Sequence, residues 1–151
     1  MSHRMACKLS GKISAIAAVS GTLNFPGNFP VFFGLTFSKV FDHVSDCQPQ
    51  QPISILSIHG TLDPLFPWYG GLFQGLPKTV DSWLQWNDCN LDQMEENPIA
   101  WGIEEKKWTD CANTAAQVSL VKIQGGFHAW PPKRMKPEEF IWAFFKSSME
   151  I

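Results

Sequence analysis

The stretch ISILSIHGTLD, residues 53–63, decides the fold class. It opens with a short, mostly apolar run and ends at the turn-forming pair His59-Gly60. A run of this kind between turn residues is typical of a strand covered on both faces. Such strands occur in parallel sheets flanked by helices, so the stretch predicts an α/β fold. Asp63 then lies just beyond the carboxyl end of the strand, where open parallel sheets place their functional residues.

Two further apolar runs resemble this strand. They are ISAIAAV at 13–19, which is followed by Ser20-Gly21, and VSLVKI at 118–123, which is followed by Gly125-Gly126. Amphipathic patterns predict helices over 1–10, 79–87 and 137–149. The polar residues 88–108 predict a loop with a small hairpin in its second half. We therefore expect an α/β domain with about three parallel strands and flanking helices.

Two local details of the helices follow from the sequence. Thr79 is expected to cap the start of the second helix, because its hydroxyl suits a free backbone N–H. In the first helix, Met5 and Leu9 share a face, and Gly11 follows as a plausible C-cap. Basic residues precede the run 13–19 and also allow a signal peptide, but the run is short and Ser14 interrupts it. We favour a helix followed by a buried strand.

Composition excludes several classes of protein. The chain of 151 residues is 44% hydrophobic and 17% charged, which is typical of one globular domain. A net charge of -2 provides no basic patch, so we expect no nucleic-acid partner. No apolar run is long enough for a membrane span, so no membrane association is expected. The four histidines are scattered and the four cysteines form no CxxC pair, so we expect no metal and no cofactor. The cysteines, which fit either two disulfides or four buried thiols, are Cys7, Cys47, Cys89 and Cys111.

An acid and a base follow two of the predicted strands. Asp63 comes after the second strand, and His128 comes after the third, within GGFHAWP. Strands in parallel end at the same edge of the sheet, so both side chains are expected at one edge. A histidine that acts as a base needs a carboxylate to fix its tautomer and stabilise its cation. The order Asp then His is that of the last two members of an α/β-hydrolase triad.

Three other side chains near this edge are candidates for supporting roles in the site. Trp68 and Trp130 follow Asp63 and His128, and they are candidates for lining a substrate cleft, although plain packing explains them equally well. His59 is expected to orient the loop after the strand through hydrogen bonds rather than to act in catalysis.

Several motifs together resemble a known family. IHGTLD with PWYGG, then VDSWLQWNDC, WTDCA and KIQGGFHAWP, are similar to the polyhydroxybutyrate depolymerase and feruloyl esterase group of α/β-hydrolases. The similarity includes MACKLSGKISAIAAVSGTL at the start and spans most of the chain except about residues 24–46. It implies a serine esterase in which Asp63 is the triad acid and His128 the triad base.

The resemblance carries further expectations. It implies disulfides between Cys89 and Cys111 and between Cys7 and Cys47, which favours a secreted or periplasmic location. The substrate is expected to be an ester, whether a polyester, a feruloylated sugar or a small ester. Residues 1–151 would then form a single partial α/β-hydrolase domain that lacks the N-terminal half, with 24–46 as an insertion or irregular loop. The missing half of the domain is itself an expected partner.

The chain differs from the family in lacking the motif of the nucleophilic serine. Members carry G-x-S-x-G just before the helix that RMACKLSGKI resembles, whereas no serine of this chain has glycine on both sides at that spacing. Ser20 lacks the pattern and follows the wrong strand. We therefore expect little esterase activity from this chain alone. The alternatives are a non-catalytic protein that binds a carbohydrate or another ligand, and a truncated product without independent function.

Overall fold

The computed structural model describes residues 1–23, 47–71, 74–112 and 116–149. They form a mixed α/β fold around one five-stranded sheet, with the strand order β1-β2-β5-β4-β3. The strands are β1 (Ala15–Val19), β2 (Ser54–Gly60), β3 (Met94–Ala100), β4 (Ile103–Trp108) and β5 (Val118–Ile123). The helices are α1 (Ser2–Leu9), α2 (Leu76–Trp86) and α3 (Pro137–Ser147), and a 3-10 turn, Lys133–Met135, precedes α3. The predicted α/β class is confirmed, while the insertion predicted at 24–46 lies outside the described residues.

The parallel part of the sheet consists of β1, β2 and β5. β2 lies in the middle, pairing with β1 from Ser54 to Ile58 and with β5 from Ile55 to Gly60. Every residue of β2 is buried, which explains why its sequence shows no alternation of polar and apolar side chains. Since all three strands run the same way, the loops after Val19, Gly60 and Ile123 emerge at one edge of the sheet.

The three predicted parallel strands are present, but the sheet has five strands. A hairpin formed by β3 and β4 adds two antiparallel strands, with β4 pairing to β5. The sequences MEENPIA and IEEKKW are rich in charge, and most of their side chains are at least partly exposed. Apolar runs therefore do not reveal these strands, and only the polar hairpin expected in the second half of 88–108 corresponds to them.

Helices cover both faces of the sheet and enclose two apolar clusters. α1 and α2 pack on one face, where Trp83 and Val80 meet Ile55 and Val118. α3 packs on the other face, where Phe144 meets Val121. The result is a three-layer arrangement with the sheet in the middle, and burial of apolar surface in both layers is its main stabilising term.

One detail of the predicted helices is wrong, the cap of α2. α2 begins after Gly75, four residues before the expected cap, and Thr79 is buried inside it, where its hydroxyl accepts a hydrogen bond from the N–H of Leu23 at 3.2 Å. In α1 the buried face carries the smaller side chains of Ala6 and Cys7, whereas Met5 is 42% exposed. The disulfide between Cys7 and Cys47 lies on that buried face.

Both expected disulfides are formed. Cys7 is bonded to Cys47, and Cys89 is bonded to Cys111. The first ties α1 to the segment before β2. The second joins the end of α2 to the segment after β4, where the two cysteines also form an isolated antiparallel bridge. The described residues contain no free cysteine. None of the described helices combines the length and the apolar character that crossing a membrane requires.

A buried histidine makes the fold sensitive to acid. His3 is 3% exposed, and its Nδ1 accepts a hydrogen bond from Nε1 of Trp83 at 3.0 Å. Burial lowers the pKa of His3 from 6.5 to about 4. Between these two pH values His3 is protonated in the unfolded chain and neutral in the folded chain. The free energy of unfolding is therefore expected to fall as the pH drops from about 6.5 to 4, by up to about 3 kcal/mol from this residue.

Urea unfolding at a series of pH values measures this effect. His3→Asn is the matched variant, because its amide oxygen can accept the Trp83 hydrogen bond and does not titrate. Burial also lowers the pKa of His59, so a part of the acid sensitivity is expected to remain in the variant. A pH dependence in His3→Asn equal to that of the wild type would contradict the assignment to His3.

Candidate functional site

Two loops meet at the edge of the sheet where β2 and β5 end. The N–H of Thr61 donates to the carbonyl of Ile123 at 3.0 Å, and the N–H of Leu62 donates to the carbonyl of Gly126 at 2.9 Å. In return the N–H of Gly125 donates to the hydroxyl oxygen of Thr61 at 2.8 Å. These three bonds lock the loop after β2 to the loop after β5 and fix the positions of the side chains that follow.

Gly60 and Gly126 make this close approach possible. A Cβ on Gly60 would overlap the backbone carbonyl of Gly126 and would reach within 2.8 Å of the carbonyl oxygen of Phe127. A Cβ on Gly126 would lie 2.8 Å from the side chain of Ile123. Because the obstacles at position 60 are backbone atoms, only glycine fits there without moving a loop.

Asp63 is held in one orientation by the backbone around it. One carboxylate oxygen, Oδ1, accepts hydrogen bonds from the N–H groups of Leu65 and Phe66, both at 2.9 Å. This is the turn that an aspartate makes with its own backbone, and Pro64 favours it. The side chain is fully buried, so its charge depends on these bonds for solvation. The second oxygen, Oδ2, is left for a side-chain partner.

That partner is His128. Its Nδ1 lies 2.9 Å from Oδ2 of Asp63, which makes Nδ1 the donor of this bond when the ring is neutral. The imidazole is 36% exposed, and its plane stacks on the ring of Phe66 with 5.6 Å between centroids. The neutral ring therefore has its lone pair on Nε2. Among the described residues, no hydroxyl donates a hydrogen bond to this nitrogen.

His59 supports the loop after β2, which carries Asp63 and Phe66. It is 1% exposed, and its Nε2 donates to the carbonyl of Phe66 at 2.8 Å and lies 3.3 Å from Oδ2 of Asp63. Burial lowers the pKa of His59 more than the Phe66 carbonyl and the Asp63 carboxylate raise it, so the ring is held neutral. His59 thus contributes an N–H dipole beside Asp63 and no positive charge, which fits the expected orienting role.

The structure does not bring Trp68 and Trp130 together. Trp68 is 8% exposed and packs its edge against His59, within the core on the α2 side. Trp130 is 58% exposed, and its indole N–H donates to Glu138 at 3.2 Å. The two tryptophans line different cavities, so they do not form one cleft across the Asp63–His128 pair.

Phe66 is a part of the site that sequence reasoning missed. Its N–H holds Asp63, its carbonyl accepts the bond from His59, and its ring covers His128. The signal for it was present, since an aspartate followed by proline predicts a turn whose N–H groups point back to the carboxylate. The aromatic ring at that position has no sequence signal of its own.

Ser20 is the described serine that reaches the loop carrying His128. Its hydroxyl lies 3.5 Å from the backbone carbonyl of Ala129, and the side chain is buried. Ser20 adopts a left-handed conformation, with φ of 52°, directly after β1. The hydroxyl therefore bonds to the backbone beside His128 and leaves the imidazole itself unengaged.

Comparison with known proteins gives no family. No protein-family model matches the chain, and no curated protein matches it significantly. Among the described residues, no group of three or more His, Cys, Asp or Glu side chains is arranged to hold a metal ion. What the site offers chemically is an oriented acid–base pair: a buried carboxylate, an imidazole with a fixed tautomer, and a basic nitrogen directed away from the carboxylate.

Proposed function

We propose that this chain carries the acid and the base of a serine-type carboxylic-ester hydrolase with the α/β-hydrolase fold, similar to polyhydroxybutyrate depolymerases and feruloyl esterases. The observation that carries the proposal is the 2.9 Å hydrogen bond between Oδ2 of Asp63 and Nδ1 of His128. A carboxylate bonded to Nδ1 leaves Nε2 free to take a proton, which is the geometry of a triad base.

The position of the pair in the sheet supports this proposal. Asp63 follows β2 and His128 follows β5, and these strands are parallel neighbours. Triad members of α/β-hydrolases lie in loops at the carboxyl edge of the sheet and occur in the chain order Ser, Asp, His. The chain presents the last two in that order and at that edge.

In the proposed reaction a serine hydroxyl attacks the ester carbonyl. Nε2 of His128 accepts the hydroxyl proton as the new C–O bond forms, and the resulting imidazolium is stabilised by Asp63. His128 then returns the proton to the leaving alcohol, and the acyl-serine ester is hydrolysed by water through the same base. His59 and the N–H groups of Leu65 and Phe66 keep the Asp63 carboxylate in place during these steps.

The serine of this reaction comes from outside the described residues. Ser20 bonds to the backbone of Ala129 and lacks the G-x-S-x-G pattern. The proposed partner is therefore a segment with a nucleophile elbow, which would complete the domain. The substrate class is an ester, with polyesters, feruloylated sugars and small esters as the candidates, and the two disulfides favour action outside the cytoplasm.

Hydrolysis of p-nitrophenyl acetate tests the proposal. This chain and its His128→Ala variant are expected to show equal rates near the uncatalysed background, because no hydroxyl of the described residues bonds to Nε2 of His128 and no serine of the chain lies in a G-x-S-x-G pattern. In a longer form of the protein that includes a G-x-S-x-G segment, His128→Ala is expected to lower the rate by about 10³-fold or more. Equal and substantial hydrolysis by that longer form and its variant would overturn the proposal.

A non-catalytic binding protein is the second candidate function. It is favoured by the lack of any described hydroxyl bonded to His128 and by the exposed aromatic side chains of Phe127 and Trp130 beside it. The longer-form assay separates the two candidates, since a binding protein gains no esterase activity from an added segment.

A further inference from the structure

A second concave site lies on the α2 face of the sheet, away from the acid–base pair. It is a cavity of about 580 Å³ between the first turns of α2 and the strands β4 and β5. Neither Asp63 nor His128 lines it, although the loop after β2 contributes Thr61, Leu62, Trp68 and Tyr69 to its lining. Its size falls within the range of about 300–1,000 Å³ that is usual for small-molecule sites.

Aromatic rings form a large part of the cavity wall. Trp68 and Trp108 are each 8% exposed and are fixed in the core, whereas Tyr69 is 90% exposed at the mouth. Val80 and Leu120 complete the apolar part of the lining. Tyr69 therefore presents a flat, exposed aromatic surface to a ligand, and the two tryptophans form part of the wall behind it.

Polar groups without partners lie beside these rings. The carboxylate of Asp81 and the side-chain amide of Gln124 are exposed and form no hydrogen bond or ion pair with the described residues. The indole N–H of Trp108 is a buried donor for which those residues provide no acceptor. The site thus offers donors and acceptors together, next to flat apolar surface.

The charges of the cavity argue against an anionic ligand. Its two cations are already paired, Lys106 with Glu96 at 3.1 Å and Lys122 with Glu104 at 2.6 Å. An entering anion would compete with both glutamates and would meet the unpaired carboxylate of Asp81. A neutral ligand avoids these costs and can still donate hydrogen bonds to Asp81.

We propose that this cavity binds a neutral sugar ring of an oligosaccharide. A pyranose has apolar C–H faces that stack on aromatic rings and hydroxyls that both donate and accept hydrogen bonds, which matches the lining described above. The site is separate from the proposed ester-hydrolase pair, so it would hold a glycan without taking part in turnover. The proposal therefore predicts that the chain binds sugars that carry no ester group.

Calorimetric titration of the whole chain with xylotriose, cellotriose and maltotriose tests this site, with benzoate as an anionic aromatic comparison. At least one trisaccharide is expected to bind more tightly than benzoate. Tyr69→Ala is expected to weaken that binding about threefold or more, the size of effect that ring stacking provides. Trp101→Ala is the matched control, because Trp101 is an equally exposed aromatic residue, 89% exposed, that does not line the cavity.

Circular dichroism of both variants checks that the fold is retained, and Asp81→Ala provides a second surface change that leaves the core untouched. Loss of sugar binding in Tyr69→Ala or Asp81→Ala, with retention in Trp101→Ala, supports the site. Tighter binding of benzoate, an equal effect of Trp101→Ala, or no heat with any of the three sugars would overturn it. None of these results depends on ester hydrolysis, so they leave the proposed function to its own test.

Discussion

Replacing Gly60 with alanine is expected to lower the free energy of unfolding by about 3 kcal/mol and to separate Asp63 from His128. The added methyl group would overlap the carbonyl of Gly126, and a backbone obstacle cannot rotate away as a side chain can. Relief requires the loop after β5 to move. That movement breaks the bond from the N–H of Leu62 to Gly126 and shifts His128 with it.

Urea unfolding and the imidazole NMR signals of His128 measure the two effects of Gly60→Ala. Gly21→Ala is the matched control, because a Cβ there would make only an ordinary contact, 3.8 Å from the Cβ of Ala18. We expect the control to unfold within about 1 kcal/mol of the wild type. Equal stability of the two variants, with the His128 signal unchanged in Gly60→Ala, would show that the loops can part without consequence.

The second large effect is expected from Asp63→Asn. The amide oxygen can still accept the N–H groups of Leu65 and Phe66, so its NH₂ group is directed at His128. Nδ1 must then accept a hydrogen bond, and the ring proton moves to Nε2. A ring with its proton on Nε2 cannot take another from a hydroxyl, so hydrolysis by a nucleophile-bearing form is expected to fall by about 10⁴-fold.

Nitrogen-15 NMR of the His128 ring in alkaline buffer measures the tautomer in this chain directly. The wild type is expected to carry the proton on Nδ1, and Asp63→Asn is expected to carry it on Nε2. Asp81→Asn, which neutralises an exposed carboxylate outside the pair, is expected to leave the tautomer as in the wild type. A proton that stays on Nδ1 in Asp63→Asn would mean that Asp63 does not set the orientation of the base.

The buried strands were the part of the fold that sequence could predict. β5 lies where the run VSLVKI predicted it, and β2 continues two residues beyond the predicted 53–58, through His59 and Gly60. Both strands are largely covered on two faces, so their apolar residues do not alternate strictly with polar ones, and buried polar residues such as Ser57 and Ser119 lie among them. β3 and β4 were predicted only as a small hairpin within a polar loop, because charged side chains such as the paired Lys106 and Glu96 leave no apolar run to mark the strands.

The acid–base pair was predictable from strand ends, as was the hydrogen-bonding support from His59, whereas the part played by Phe66 was not. The rule that functional residues follow parallel strands placed Asp63 and His128 at one edge, and their side chains are in contact. The position of Phe66 over the imidazole and the separate cavities of Trp68 and Trp130 depend on how loops turn in space. The path of a loop depends on tertiary contacts such as the close approach of Gly60 and Gly126. The glycines in the sequence indicate that a close approach is possible, but not which segments meet.

The three hydrogen bonds between the loops after β2 and β5 make the spatial relation of Asp63 and His128 independent of the chain between them. The two residues are separated by 65 positions, and that interval contains α2 and the β3–β4 hairpin. A longer or shorter β3–β4 hairpin would change the number of residues between Asp63 and His128 and would leave the three hydrogen bonds at the sheet edge in place. We therefore expect the 2.9 Å contact between Asp63 and His128 to tolerate changes in the length of the β3–β4 hairpin.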